Sequence, residues 1–138
     1  HGPNLNLLGA RERLVYGAKT LEDIEALVKE TAKKLGYEVK AFQSNHEGAI
    51  VDFLQKESQK AEGIIINPGA LTHYSYTLHD ALRDTKLPAV EVHLSDIGSR
   101  EPWRQVSVTA PACIAQISGK KDAGYVEALE VLHKKLNG

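Results

Sequence analysis

The sequence predicts a three-layer α/β fold, a parallel sheet with helices on both faces, and three observations lead to it. Helix-length amphipathic segments alternate with short strand-like runs along the chain, a pattern that implies parallel pairing through right-handed crossovers. The run Ile64-Ile65-Ile66 is β-branched on both faces, as in a central strand covered from each side. Asn67-Pro68-Gly69 then ends that run abruptly, because proline cannot donate to a ladder and glycine opens backbone angles closed to other residues. Asn67 is thereby placed at the carboxyl end of a strand, the edge where open parallel sheets bind ligands.

Taken in order, residues 1–17 mix glycine, proline and asparagine with two arginines and a tyrosine and show no sustained period, so they predict a loop. A loop of that length without structure of its own suggests a lid. Thr20-Leu21-Glu22-Asp23 has the form of a capping box, Ile24, Leu27, Val28 and Leu35 share a helical stripe, and Gly36 ends it; a helix over 20–36 follows. Tyr37 to Gln43 alternates as a strand would, and Ser44-Asn45-His46-Glu47 is suited to cap a second helix carrying Ile50, Phe53 and Leu54. Beyond the Ile64–Ile66 strand, Leu78, Ala81 and Leu82 mark a helix over 74–84, and Leu87-Pro88 leads into a strand, Ala89 to His93. Residues 94–106 are polar with a basic turn at Arg100 to Arg104. Ala112 to Ile117 make a further strand, and Tyr125, Ala128, Leu129, Leu132 and Leu136 stripe a last helix. His1-Gly2-Pro3 opens a loop of the kind that follows a strand, so an apolar strand is expected before it, central to the sheet.

At 138 residues the chain is long enough for one ordinary domain, 1–138. Its net charge of −1, with both signs interspersed, argues against a nucleic-acid groove or a membrane surface and in favour of a small molecule or another protein as partner. One cysteine, Cys113, excludes an internal disulfide, and no apolar run reaches the length of a signal peptide or membrane span. The expectation is a cytoplasmic protein.

Two pairs of residues have the makings of chemistry. Glu91 and His93 are two apart on a strand, so they face the same side at its carboxyl edge. A carboxylate beside an imidazole fixes its tautomer and makes it a usable proton donor; equally, a half-buried Glu and His can simply satisfy each other. In the first loop, Arg11 and Tyr16 are five residues apart. A guanidinium next to a phenol favours phenolate, a base, while the plainer reading is an arginine stacked on a surface tyrosine. Among the rest, His79 and His133 read as solvated helix residues, Cys113 as a structural thiol, Trp103 as a packing anchor, and Lys120-Lys121 as ordinary charged surface. No phosphate-binding glycine pattern occurs.

Four motifs in order resemble the type II 3-dehydroquinate dehydratases along nearly the whole chain. They are Gly2-Pro3-Asn4-Leu5-Asn6-Leu7-Leu8-Gly9 with Arg11-Glu12 and Tyr16-Gly17; Gln43-Ser44-Asn45-His46-Glu47-Gly48; Ile66-Asn67-Pro68-Gly69-Ala70 with Thr72-His73; and Glu91-Val92-His93-Leu94-Ser95. The resemblance implies a flavodoxin-like subunit with a five-stranded parallel sheet, trimers assembled into a dodecamer, and trans elimination of water from 3-dehydroquinate through an enolate without metal, Schiff base or cofactor. It further implies that Tyr16 removes a C2 proton with Arg11 supporting it, that His93 oriented by Glu91 protonates the departing hydroxyl, and that Asn4 holds a water at the enolate. Asn67 would position substrate, Leu94 and Ser95 would bind its carboxylate, His73 and Arg104 its hydroxyls, and Asp80 would enter from a neighbouring subunit. The shikimate and quinate routes both use this reaction.

The chain departs from the family pattern at Arg13, at Gly98-Ser99, at Gln105-Val106 and at Tyr74 and Tyr76, none of which removes an implied catalytic group. A different enzyme class remains open on donor atoms alone, a metal-dependent hydrolase using His73, Glu91, His93 and Asp80. A flavodoxin-like receiver or binding domain is less favoured, because no acidic cluster stands at the strand ends.

Overall fold

The computed structural model describes residues 1–138. Strands β1 (Ile64–Ile66), β2 (Ala89–His93) and β3 (Ala115–Ser118) form one parallel sheet in the order β1-β2-β3. Ile64 lies opposite Ala89, and Glu91 lies between Ile66 on one side and Gln116 on the other. Every residue of β2 is buried, as a central strand with helices on both faces requires. Its alternation divides the core. Val90 and Val92 pack with Ile24, Val28 and Ala32 of α2 (Leu21–Lys34) and with Tyr125, Ala128 and Leu132 of α5 (Ala123–Asn137). On the opposite face Ala89 packs with Ile50 and Leu54 of α3 (Glu47–Glu57) and Leu78 and Leu82 of α4 (Tyr76–Thr85). Each fully buried Val or Leu among these contributes about 1.5–3 kcal/mol relative to exposure. Because period two puts Glu91 and His93 on the α3/α4 side, two polar residues enter the sheet where its carboxyl edge meets the loops.

The predicted α2 forms with its reciprocal cap: Thr20 Oγ1 accepts from the Asp23 amide at 3.1 Å and Asp23 Oδ2 from the Thr20 amide at 3.0 Å. α4 starts at Ser75, whose Oγ accepts from the Leu78 amide at 3.0 Å.

Several sequence expectations are corrected. The sheet has three strands, not five. Residues 37–43 run without joining a ladder, because nothing lies alongside them at the strand spacing of about 4.8 Å except His1. The amino group of His1 donates to Phe42 O at 2.9 Å, its carbonyl accepts from the Ser44 amide at 3.1 Å, and Gly2 N donates onward to Asn67 O at 2.8 Å. Behind that single bridge, a groove of about 800 Å³ separates Tyr37, Val39 and Phe42 from Ile64 and Ile65. The strand expected from Ala112 begins only at Ala115, since Ala110–Ala112, with Pro111 inside it, winds into a 3-10 turn. The first loop has local structure: a 3-10 turn at Leu5–Leu7 and the single-turn helix α1 (Arg13–Tyr16). Finally, His46, the N-cap of α3, makes no side-chain cap.

Candidate active site

β2 delivers the Glu91–His93 pair as its alternation requires. His93 Nε2 donates to Glu91 Oε2 at 2.9 Å, and both side chains are buried. An ionised carboxylate only accepts, so the proton of this bond belongs to Nε2 and the other ring nitrogen, Nδ1, is left for other partners. The same carboxylate accepts from Thr72 Oγ1 at 3.1 Å, Ser107 Oγ at 2.9 Å, Gln116 Nε2 at 2.7 Å and Thr109 Oγ1. Burial pushes the Glu91 carboxyl up, but the bond from His93, its charge, and the donors Thr109 and Gln116 hold it down at about 2. Glu91 therefore stays an anion at neutral pH. It is built to orient His93 and not to exchange protons. Thr72 stands in a family motif without a role of its own there, and Ser107 and Thr109, from a segment distant in the chain from β2, carry no sequence signal as site residues. Gln116 reaches Glu91 as its parallel neighbour on β3, a register that only the fold sets.

Above this edge, α1 carries Tyr16, and two arginines reach it differently. The Arg11 guanidinium lies 3.8 Å from the centre of the ring, the stacked arrangement that was the plainer reading of the pair. The cation at the phenol oxygen is Arg100, which the sequence offered only as part of a basic turn: its Nη1 donates to Tyr16 Oη at 3.0 Å and to Ser95 Oγ at 3.4 Å. Tyr16, Arg100 and Ser95 are thus one hydrogen-bonded chain beside the end of β2. Leu94, Ser95, Arg100 and Arg104 line a cavity of about 610 Å³, the size of a small-molecule site. Arg104 is bound to Glu101, Nε to Oε2 at 2.6 Å, and its guanidinium lies 4.0 Å from the Trp103 ring.

Asn4 belongs to the first loop and adopts φ 69°, a left-handed conformation that non-glycine residues seldom take. Its amide donates to Asn45 Oδ1 at 2.9 Å, and Gln43 Nε2 donates to Gly2 O at 3.2 Å and Asn45 Oδ1 at 3.3 Å. Asn45 is therefore a brace for the Asn4 loop and not a helix cap. The loop also presses on the β1 exit, where a Cβ at Gly2 would lie 2.2 Å from Pro68 O. Asn67 is buried, with Nδ2 donating to Tyr125 Oη at 3.1 Å and Oδ1 accepting from Gly69 N at 3.1 Å. Burial pushes the Tyr125 phenol well above its usual range, so it stays protonated.

Other expected members stand apart. His73 Nδ1 donates to Val106 O at 2.7 Å, and its ring meets Trp103 edge-on at 5.4 Å; Trp103, 55% exposed, is no packing anchor. Asp80 is exposed on α4, and its carboxylate forms no hydrogen bond or ion pair within the chain. His79 and His133 are not merely solvated: His79 Nδ1 donates to Val108 O at 2.7 Å and His133 Nδ1 pairs with Tyr37 Oη at 2.9 Å. His73, Glu91, His93 and Asp80 do not gather into a ligand set, and no three His, Cys, Asp or Glu side chains do so anywhere. Both Glu91 oxygens already face protein donors.

Comparison with known proteins places the chain in a family. The chain matches the family described as Dehydroquinase class II over residues 1–133. It is 53% identical over 136 residues to the 3-dehydroquinate dehydratase of Clostridium beijerinckii, covering 98% of this chain and 93% of that one. With the 3-dehydroquinate dehydratase of Bacillus cereus it shares 51% over 138 residues, covering 100% and 94%. The crystal structure of the type II dehydroquinase from Butyrivibrio crossotus superposes with a TM-score of 0.92 at 45% identity, over 95% of this chain and 92% of that one. That of the Propionibacterium acnes enzyme gives 0.91 at 34%, over 96% and 92%. Matched along nearly its full length by the family and by relatives that share about half of its residues, this chain belongs to the class II dehydroquinase family.

Proposed function

We propose that the protein is a hydro-lyase that converts 3-dehydroquinate to 3-dehydroshikimate and water by trans elimination, serving the shikimate or quinate route. The observation that carries the reading is the placement of a cation-held phenol, Tyr16 on Arg100, through Ser95 beside the strand exit that bears Glu91–His93. Tyr16 as phenolate takes the C2 proton, and the electron pair moves into the enolate. The enolate then collapses to the enone as the C1–O bond breaks, and the leaving hydroxyl departs as water with the Nδ1 proton of the imidazolium form of His93, whose Nε2–H Glu91 holds. Arg100 favours the phenolate oxygen directly; Arg11 covers the ring face and closes the lid. Asn4, held left-handed by Asn45, directs a water to the enolate oxygen. Leu94 and Ser95 receive the carboxylate, Asn67 positions the ring, and His73 and Arg104 take its hydroxyls.

Asp80 completes a neighbouring subunit's site, which suits its exposed position on α4 and its lack of a partner in its own chain. That role belongs to a trimer, four of which build the dodecamer. The subunit is a single flavodoxin-like domain. No helix is long and apolar enough to cross a membrane, in keeping with work in the cytoplasm. The reaction uses no cofactor.

The test is an absorbance assay for the conjugated enone formed from 3-dehydroquinate, with and without a strong chelator. Chelator-insensitive product is expected. No product from the assembled protein overturns the reading, and product abolished by chelator returns the choice to the metal hydrolase.

A further inference from the structure

We infer that Lys121 is a substrate-binding residue of this site, a cation that faces the substrate carboxylate received by Leu94 and Ser95. The inference rests on the dehydratase reading above. The turn after β3 is tied to the carboxylate subsite by its backbone, Gly119 N donating to Ser95 O at 3.0 Å and Lys121 N to Leu94 O at 3.2 Å. Lys121 lines the same cavity as Ser95, Arg100 and Arg104.

Its ammonium is uncommitted, whereas the neighbouring cations all have partners in the chain. Arg104 is paired with Glu101, Arg100 is engaged with Tyr16 and Ser95, and the adjacent Lys120 is paired with Glu127 at 2.5 Å. Of the three acids on the cavity wall, Glu101 is taken by Arg104 and Asp96 accepts from the Gly98 amide at 3.1 Å, while Glu12 has no partner of its own and competes with an incoming anion for the lysine. The Lys121 ammonium has no hydrogen bond or ion pair in the chain.

The backbone points the same way. Lys121 sits at φ 50°, a left-handed conformation in which glycine is the unstrained residue, and such strain in other residues collects at ligand sites. The other non-glycine residues in this region are Lys86, which ends α4, and Asn4, in the lid loop. The stem of Lys121 lies against Gly17, where an added Cβ would come within 3.3 Å of Lys121 Cδ. Gly17 closes the helix that carries Tyr16. The lysine thus touches the lid with its stem and leaves its ammonium for an anion, as long cationic side chains do.

Two variants separate charge from scaffold. Lys121→Gln keeps a stem against Gly17 and loses the charge, while Lys121→Gly removes the strain, so its melting temperature should equal or exceed that of the parent. Both should raise KM for 3-dehydroquinate by about fivefold, the range of a solvent-accessible ion pair, with kcat changed little. The rise of KM with added salt should be weaker in both than in the parent. If Lys121→Gln keeps the parent KM and salt response, the lysine is at most a packing stem and the inference is overturned. A parent enzyme that makes no enone product overturns the dehydratase reading instead, so the two failures are distinct.

Discussion

Arg100 donates from Nη1 to the phenol oxygen of Tyr16 at 3.0 Å, while Arg11 lies over the face of the same ring. A cation at the oxygen favours phenolate directly; a cation on the ring face acts mostly through packing and the ring quadrupole.

The two arginines should therefore differ. Arg100→Ala should lower kcat by about 10²–10³-fold, as for loss of a charge-stabilising donor, with partial recovery in alkaline buffer. Tyr16→Phe should be as slow or slower and gain nothing from alkali, because the proton acceptor is gone. Steady-state kinetics across pH checks this; an Arg100→Ala enzyme at near-parent turnover would remove Arg100 from the mechanism.

Glu91 makes stability depend on acid. Its folded carboxyl titrates at about 2 against an ordinary value of 4.5, so the unfolded chain binds its proton first as pH falls. The contribution, about 3 kcal/mol for such a shift, is fully present above pH 4.5 and is lost as pH falls towards 2. Denaturant melts from pH 7 to pH 2 should show this decline, and Glu91→Gln should flatten it. The same substitution should cut kcat, since an amide can offer His93 either an acceptor or a donor.

Asn45 holds Asn4 from 41 residues away. Asn45→Ala removes the acceptor for an amide in a strained turn, and should cost about 1 kcal/mol in stability but at least tenfold in kcat. The kinetic loss should exceed the stability loss if the loop positions a catalytic water. Thermal melts and kinetics on one preparation provide the comparison.

Cys113 should be inert in the native protein. Burial, and then the nearby Glu91 charge, push its thiol up to about 12, leaving roughly one part in 10,000 as thiolate at pH 8. Alkylation at pH 8 should be slow in native buffer and faster by more than a hundredfold in denaturant; fast native labelling would contradict a thiol held this far above its usual range.

Local rules carried much of the architecture. The reciprocal cap of Thr20 and Asp23, the stop at Asn67-Pro68-Gly69 and the shared face of Glu91 and His93 are consequences of short-range periodicity and backbone chemistry, and all were legible in the residues themselves. The four motifs identified the family. Pairing was another matter. Tyr37 to Gln43 has the alternation of a strand, but a ladder needs a neighbouring backbone, and the residues beside it are His1 and a groove. The site shows the same division. Sequence spacing brought Arg11 to Tyr16 because they are neighbours in the chain, whereas Arg100 is 84 residues away and reaches the phenol oxygen only through the fold. Thr72, Ser107, Thr109 and Gln116 converge on Glu91 from three segments. A buried charge collects its donors from whatever the packing brings within hydrogen-bond reach, and no periodicity along the chain encodes that.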